Sequence, residues 1–351
     1  MPHRPTALSG ALAAALAQAA VGAAALATFA GLFGRWLPLL DLASHFRMYG
    51  LLTLTPGLAL AVRRRQLAWT VAIGVPWLIS AYSVARLWAP PLAARSAAVL
   101  AEPNAADDAP DPGPGSIATD GLRIVVFNVW GVNPTPERIA PYLAASDADV
   151  AVLIELRPPL AARLAADPGW PFDAITTAPR DDFFGVGVYV RRDAASRGLR
   201  VTDAITDVLR PDDERQRPYA RATLHWAGRS ATLVAAHPPP PMGAAMTRER
   251  DAALAAASSI LAGAGRPGIL CGDINATPWS TGRRAARSAA PLVDATLGHG
   301  YLGTWPAPLG RFLGIPIDVC LIDPSLASVA ASVGPVLGSD HRPLHVTLRW
   351  R

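Results

Sequence analysis

Read from the amino terminus, the chain changes its hydrophobic rhythm twice. From Pro5 to Gly34 there is no charged residue, and Ala, Leu, Val and Phe dominate. That is enough for a helix across a hydrocarbon core, which takes ~20 residues. A second uncharged stretch, Met48 to Val62, is short and carries Pro56-Gly57. It spans only if its helix extends at both ends and Arg47 reaches out to the interface. A third, Gln66 to Ala85, is again charge-free, with Trp69, Trp77 and Trp88 suited to interfaces. The pattern predicts a transmembrane region over 1–88 with three helices, at about 6–34, 46–64 and 66–87. Arg4 before an apolar run also fits a cleaved signal peptide, but the length of the run and the later apolar stretches favour a span.

Residues 89–120 are rich in Pro, Ala, Asp and Gly, which cannot bury enough apolar surface to order themselves, and are expected to be a linker. From residue 121 the rhythm shortens. Strands are predicted at 122–128, 150–155, 186–191, 220–226, 230–236, 268–272, 317–322 and 344–350. Helices are predicted at 136–145, 157–166 and 247–263, the last with Thr247 as cap and Glu249 in its first turn. Several strands are apolar on both faces, which implies two sheets packed together with helices outside, an α/β sandwich.

Composition sharpens this division. Of 351 residues, 51% are hydrophobic and 17% charged, with a mean hydropathy of +0.25, too apolar for one soluble globule. The formal charge of +5 first suggests a nucleic-acid partner. It splits, however, into +3 on residues 1–119 and +2 on residues 120–351, so no broad basic footprint is present. Arg63-Arg64-Arg65 before the third span is the strongest positive-inside feature. It predicts the amino terminus inside and everything after residue 88 outside, on a multi-pass membrane protein. Cys271 and Cys320 lie in apolar strand-like runs; buried free thiols are the default expectation, with a disulfide open in an oxidising compartment.

The apolar runs end in polar residues of one kind. Asn128, Glu155 and His237 each close one; Asp273 closes another, with Asn275 two residues on; Asp318 opens a run, and Ser339-Asp340-His341 precedes the last. Buried carboxylates are costly unless they are paired, hydrogen-bonded or bound to metal, and convergence at one sheet edge would meet that cost. Singly, each has a plainer explanation: Asn128 as a turn former, Glu155 as a helix cap, Asp273-Ile274-Asn275 as an Asx turn. No G-x-S-x-G elbow, P-loop, H-E-x-x-H or G-x-G-x-x-G is present. Arg283, Arg284 and Arg287 follow Trp279 on an expected helix, either as a solvated face or turned towards an anionic substrate.

As an ordered set, Asn, Glu, His, Gly-Asp-x-Asn, Asp, Ser-Asp-His closely resembles the endonuclease/exonuclease/phosphatase superfamily over residues 121–351. Gly272-Asp273-Ile274-Asn275 and Ser339-Asp340-His341 are the most specific pieces, and the segments Pro238 to Pro241 and Ala276 to Ser280 resemble a membrane-anchored bacterial branch. The resemblance implies a four-layer α/β sandwich that hydrolyses phosphodiesters with Mg²⁺ or Mn²⁺. It implies Glu155 as principal metal ligand, assisted by Asn128 and Asp340, and Asp273 as the base that activates water. Asn275 would hold a phosphoryl oxygen or fix Asp273; His341 would stabilise the transition state, oriented by Asp318; His237 would be a second donor. Tyr219 and Arg221 are the candidates for the family's mid-domain substrate contact. The expected substrate is a lipid head group, a nucleic acid or a small molecule, with no specific protein partner. A nuclease, or a non-catalytic tethered binding domain, are the alternatives. The expected setting is a bacterial inner membrane with the catalytic domain on the periplasmic side.

Overall fold

The computed structural model describes residues 7–90, 116–265 and 267–351, which form two compact units divided after Arg86. In the first unit, α1 (Ala7–Ala30), α3 (Arg47–Arg63) and α4 (Leu67–Ala85) pack around Leu54, Ala61 and Ile73, with a short α2 (Pro38–Ser44) between α1 and α3. Gly57 lets α3 close on Val21: a Cβ there would stand 2.9 Å from that side chain. Two stretches, Leu12–Phe33 and Leu67–Trp88, are long and apolar enough to cross a bilayer; α3, with Arg at both ends and Pro56 inside, is not among them. Arg47 departs from expectation. It does not reach outward but is buried, donating to the Thr28 carbonyl at 2.9 Å. A backbone carbonyl inside the bundle offers this guanidinium what the interface would have offered.

The second unit contains two six-stranded mixed sheets. Sheet 1 contains β1 (Leu122–Asn128), β2 (Val150–Ile154), β3 (Phe172–Ala178), β4 (Val186–Arg191), β11 (Leu326–Val333) and β12 (Leu344–Trp350), in the order β11-β12-β1-β2-β4-β3. Sheet 2 contains β5 (Arg200–Val208), β6 (Pro218–Trp226), β7 (Arg229–Ala236), β8 (Gly268–Asp273), β9 (Val293–Asp294) and β10 (Asp318–Ile322), in the order β5-β6-β7-β8-β10-β9. One core lies between the sheets, from Ile124, Val152 and Val346 on one side to Leu233, Ile269 and Cys320 on the other. A second core packs α8 (Ala244–Gly263) on sheet 2 through Leu254 and Leu261. A third packs α6 (Ile139–Ala145) and α7 (Pro158–Ala166) on sheet 1 through Leu143 and Leu164. The result is the expected four-layer sandwich.

All eight predicted strands form. The four unpredicted ones, β3, β5, β9 and β11, are the outermost strands of the two sheets. An edge strand keeps one long side and often one face in water, so its sequence lacks the apolar run that marks an inner strand; β5 is exposed over most of its length.

Three further expectations are corrected. Thr247 does not cap α8, which starts three residues earlier; its hydroxyl donates back to the Gly243 carbonyl at 2.9 Å. Cys271 and Cys320 are not free thiols but a disulfide across β8 and β10. The central part of the expected linker, 91–115, lies outside the described residues, while its end is ordered: Ile117, in the short helix α5 (Ile117–Asp120), is fully buried, its N–H donating to the Arg197 carbonyl. On the other side, the Leu87 carbonyl accepts hydrogen bonds from Gly298 and Gly300.

Candidate active site

Chain direction brings the polar strand ends together. β1 runs parallel to β2, and β7 parallel to β8, so Asn128, Glu155, His237 and Asp273 leave these strands on one edge. β10 is antiparallel to β8 and β12 to β1, so Asp318 and His341 enter their strands on that same edge. Ligands in open α/β sheets collect at the carboxyl ends of strands for this reason.

Asn128 joins the two sheets. Its amide nitrogen donates to Glu155 Oε1 at 2.9 Å and to Asp273 Oδ2 at 3.0 Å, while its oxygen accepts from the Trp130 N–H. Glu155 and Trp130 hold left-handed backbone, φ 58° and 56°, which turns the chain sharply and points Glu155 back over the edge. The Gly131 N–H then donates to Glu155 Oε2. Asn275 is also left-handed, at φ 49°. Its N–H caps Asp273 Oδ1, its side-chain amide holds the Pro238 carbonyl, and its own carbonyl accepts from the fully buried Arg250 of α8. The structure thus brings Asn275 to Asp273 through its backbone.

Across the site, His341 Nδ1 lies 2.7 Å from Asp318 Oδ2, and Nε2 lies 3.5 Å from Asp273 Oδ2. Burial works against charging this ring, but Asp318, Asp273 and Asp340 outweigh it and push the His341 pKa up to about 10. The ring is therefore an imidazolium at neutral pH and a donor on both nitrogens. Burial raises Asp273, with His341 and His237 opposing. His237 Nδ1 meets the Asp273 backbone carbonyl at 2.9 Å and leaves Nε2 facing Glu155 Oε1 at 3.8 Å. Phe184 packs against the His237 ring.

Asp340 accepts from the Trp305 indole N–H at 3.0 Å, and its other oxygen is buried with no hydrogen-bond partner. Burial raises its pKa, and the charge of Glu155 raises it further. A buried carboxylate whose charge is disfavoured by its carboxylate neighbour and which keeps an unsatisfied oxygen fits a divalent cation held by hard oxygen donors. Asp273, Asp318 and His341 also offer ligand atoms within 4.8 Å of one another; there Asp318 Oδ2 is taken by His341 Nδ1, while Asp318 Oδ1 is buried without a hydrogen-bond partner. Glu155 also borders a cavity of ≈ 250 Å³ lined by Trp130, Arg157, Leu160 and Arg163. A larger cavity, ≈ 470 Å³, lined by Arg123, Tyr142 and His345, contains none of the strand-end acids.

Not every sequence candidate joins the cluster. Tyr219 sits at the end of β6 opposite Ala236, but its ring packs with Leu209 and Val234 on the helix-facing side, and its charged neighbours are Asp207 and Arg221. Arg221 lies two positions further along β6. Arg283 is neither solvated nor free for substrate: it is buried, paired with Asp294 at 3.1 Å and close to the Pro316 carbonyl. Arg284 and Arg287 are exposed, as a solvated face.

Ser339 has a role the sequence did not assign. Its hydroxyl donates to the Asn128 carbonyl at 2.7 Å and accepts the His341 N–H at 3.0 Å, linking the end of β1 to the segment that enters β12. Its place in Ser339-Asp340-His341 was the available clue. Trp305 and Phe184 come from loops with no distinguishing local pattern.

Comparison with known proteins agrees with this fold. The profile of the Endonuclease/Exonuclease/phosphatase family matches residues 125–341. A humanized D. rerio TDP2 with 14 mutations superposes with a TM-score of 0.55 at 18% identity, over 66% of this chain and 99% of its own. The endonuclease/exonuclease/phosphatase from Bacteroides vulgatus gives 0.54 at 18% identity, over 66% and 99%. A Bacteroides thetaiotaomicron mannosyl-6-phosphatase gives 0.51 at 18%, over 65% and 100%. At such identities the likeness establishes the fold. No curated protein sequence matches the chain.

Proposed function

The chain belongs to the endonuclease/exonuclease/phosphatase family, and from that premise we propose that it is a membrane-anchored, divalent-metal-dependent phosphodiesterase. The observation that carries the proposal is the hydrogen-bonded set at one sheet edge, in which Asn128 ties Glu155 to Asp273 and Asp318 ties His341 to the same centre. Glu155 and Asp340, with Asn128, would hold Mg²⁺ or Mn²⁺. When bound, the ion would neutralise phosphoryl charge and assist the leaving oxygen.

The remaining work falls to the chain. Asp273 is the base: a carboxylate raised by burial accepts the proton of an attacking water more readily than one in solution. The water oxygen bonds to phosphorus, the bond to the leaving oxygen breaks, and the water proton goes to Asp273. His341, charged at neutral pH and fixed by Asp318, donates from Nε2 to the phosphoryl oxygen as its charge grows. His237, anchored through Nδ1, presents Nε2 as a second donor. Asn275 keeps Asp273 aimed.

Two observations support an extracytoplasmic setting on a bacterial inner membrane. Beside its apolar core the first unit buries polar side chains and exposes apolar ones: Asp41, Ser44, His45, Arg47 and Ser80 are buried, while Leu12, Leu16, Leu26, Leu67 and Leu78 are exposed. That inversion suits a lipid solvent. The Cys271–Cys320 disulfide suits an oxidising compartment. The near-neutral catalytic unit favours a lipid or small-molecule phosphodiester over a nucleic acid.

The purified full chain should hydrolyse bis(p-nitrophenyl) phosphate with Mg²⁺ or Mn²⁺ and stop with chelator. Asp273→Ala and His341→Ala should each lower the rate by roughly 10²–10⁴. Wild-type turnover equal to both variants would remove the enzymatic reading. A topology reporter joined after residue 120 that works only in the cytoplasm would overturn the orientation.

A further inference from the structure

Most of the large apolar side chains that stand in solvent on the catalytic unit lie on loops of the catalytic edge. Six of them, Val132, Phe183, Met242, Leu309, Phe312 and Leu313, are 39% to 74% exposed. Among the described residues of that unit only Trp88, Ile205 and Val329 do the same elsewhere. Each of the six lies on a chain segment that leaves or enters the catalytic edge. Val132 is four residues past Asn128, and Met242 is five past His237 at the end of the Pro238–Pro241 run. Phe183 adjoins Phe184, which packs on His237. Leu309, Phe312 and Leu313 lie between Trp305, bonded to Asp340, and Asp318.

The loops that carry them are short of charge. Residues 129–136 and 238–247 contain none, and residues 303–317 contain only Arg311, whose guanidinium lies 4.6 Å over the Phe312 ring. The 179–185 loop pairs Arg180 with Asp182 and exposes Asp181. Site rims that take nucleic acid present free Lys and Arg to phosphates; here Arg157 and Arg163 border the Glu155 cavity, and on the neighbouring 209–217 loop Arg210 and Arg217 are paired with Asp212 and Asp213. A cluster of apolar side chains of this kind marks an interaction surface. An apolar patch with an arginine laid on an aromatic ring fits the boundary between head groups and acyl chains.

We propose that the rim of the catalytic site docks on a lipid surface, with Met242 and the Leu309–Leu313 segment entering the head-group region and the catalytic edge facing the bilayer. This rests on the membrane-anchored reading, which supplies the bilayer to which the chain is tied, and it makes a phosphodiester in the membrane plane the substrate class. The rim loops reach the head groups while the strand-end residues meet the ester bond behind them.

The full chain has no free cysteine among its two, both being in the buried disulfide, so single labels are clean. Nitroxides at Leu16→Cys, Met242→Cys, Phe312→Cys and Val329→Cys are compared in proteoliposomes of phosphatidylcholine and phosphatidylglycerol, using oxygen and a water-soluble nickel chelate as collision partners. The expected result is a several-fold higher ratio of oxygen to nickel accessibility at 16, 242 and 312 than at 329. If 16 is lipid-exposed while 242 and 312 match 329, rim docking is wrong and the anchor stands. If 242 and 312 are shielded from both partners, a protein covers the rim and the proposal falls. If 16 itself is water-exposed, the anchor falls and docking with it. None of these readouts depends on hydrolysis.

Discussion

Cys271 on β8 and Cys320 on β10 are directly opposed and bonded, two positions inward from the opposed pair Asp273 and Asp318. The bond therefore ties together the two strands that carry the base and the residue that orients His341, one layer beneath the site. It closes a sequence separation of 49 residues. In the chain-entropy account such a closure stabilises by about 4 kcal/mol, within the usual 2–5 kcal/mol cost of losing a native disulfide. The double variant Cys271→Ala/Cys320→Ala should lose about that much in denaturant unfolding of the full chain, and reduction after unfolding should slow recovery of activity. A variant as stable as wild type would show that packing alone holds β8 to β10.

The His341–Asp318 pair should set the alkaline limb of activity. Burial opposes the imidazolium, but Asp318, Asp273 and Asp340 raise the pKa to about 10. A group whose protonated form is favoured by folding stabilises fully below its ordinary pKa of ~6.5, and that contribution fades as pH climbs towards the raised value. Wild-type stability in urea should thus decline from neutral pH to about 10, and His341→Gln should flatten the decline. Asp318→Asn removes the leading upward influence, so the fall of kcat/KM at high pH should begin at lower pH, with kcat down by roughly 10²–10⁴. An unmoved alkaline limb would assign it to another group.

Much of this arrangement was legible before any coordinates. Asn128, Glu155, His237, Asp273, Asp318 and His341 stand at the ends of apolar runs, and strand direction then delivers them to one edge. What the sequence hid depends on partners distant in the chain. Arg283 reads as a solvated cation because nothing nearby reveals Asp294 across the fold. Arg47 reads as a residue reaching for an interface until the Thr28 carbonyl comes beside it. Cys271 and Cys320 read as core thiols because their pairing depends on the β8–β10 register, which no local pattern encodes. Edge strands β3, β5 and β11 expose part of their length and β9 is two residues long, so none carries the apolar run of an inner strand.

The Arg283–Asp294 pair is buried on both sides, and burial presses the guanidinium pKa downward, with Asp294 opposing. Truncating one partner strands the other's charge, which costs about 3–5 kcal/mol. Arg283→Met should therefore destabilise the chain by that amount, while Arg283→Met/Asp294→Asn, which removes the stranded charge and keeps an acceptor for the Thr296 N–H and hydroxyl, should recover most of it. KM should remain unchanged in whatever fraction stays folded. A rise in KM without loss of stability would return Arg283 to the substrate.

Gly272 sits between Cys271 and Asp273 at φ 150°, and a Cβ there would stand 2.1 Å from the Ala236 carbonyl oxygen. That contact is with the backbone of β7, one residue before His237, so it cannot be relieved by a side-chain rotation. Gly272→Ala must push β8 and β7 apart where both enter the site, and overpacking of this kind costs about 1–3 kcal/mol. Activity should fall further than stability, since the displacement moves Asp273 and His237 relative to each other. Melting temperature and kcat measured together would check this. A variant that loses stability but keeps wild-type kcat would show that the loops after β7 and β8 correct the displacement.

Glu155 and Asp340 give a metal prediction whose sign differs with and without the ion. The charge of Glu155 disfavours that of Asp340, and one Asp340 oxygen is buried without a partner. In chelator, Asp340→Asn and Glu155→Gln relieve that repulsion and should melt at or above the wild-type temperature. With Mn²⁺ the order should invert: a ligand at 100 times its Kd stabilises the folded state by about 2.7 kcal/mol, and that gain requires both carboxylates. The wild type should rise on adding Mn²⁺ while both variants stay nearly flat, and half-saturation for activation should move upward in each. Equal Mn²⁺-induced shifts in wild type and variants would place the ion elsewhere, with the Asp273, Asp318 and His341 group as the next site to test.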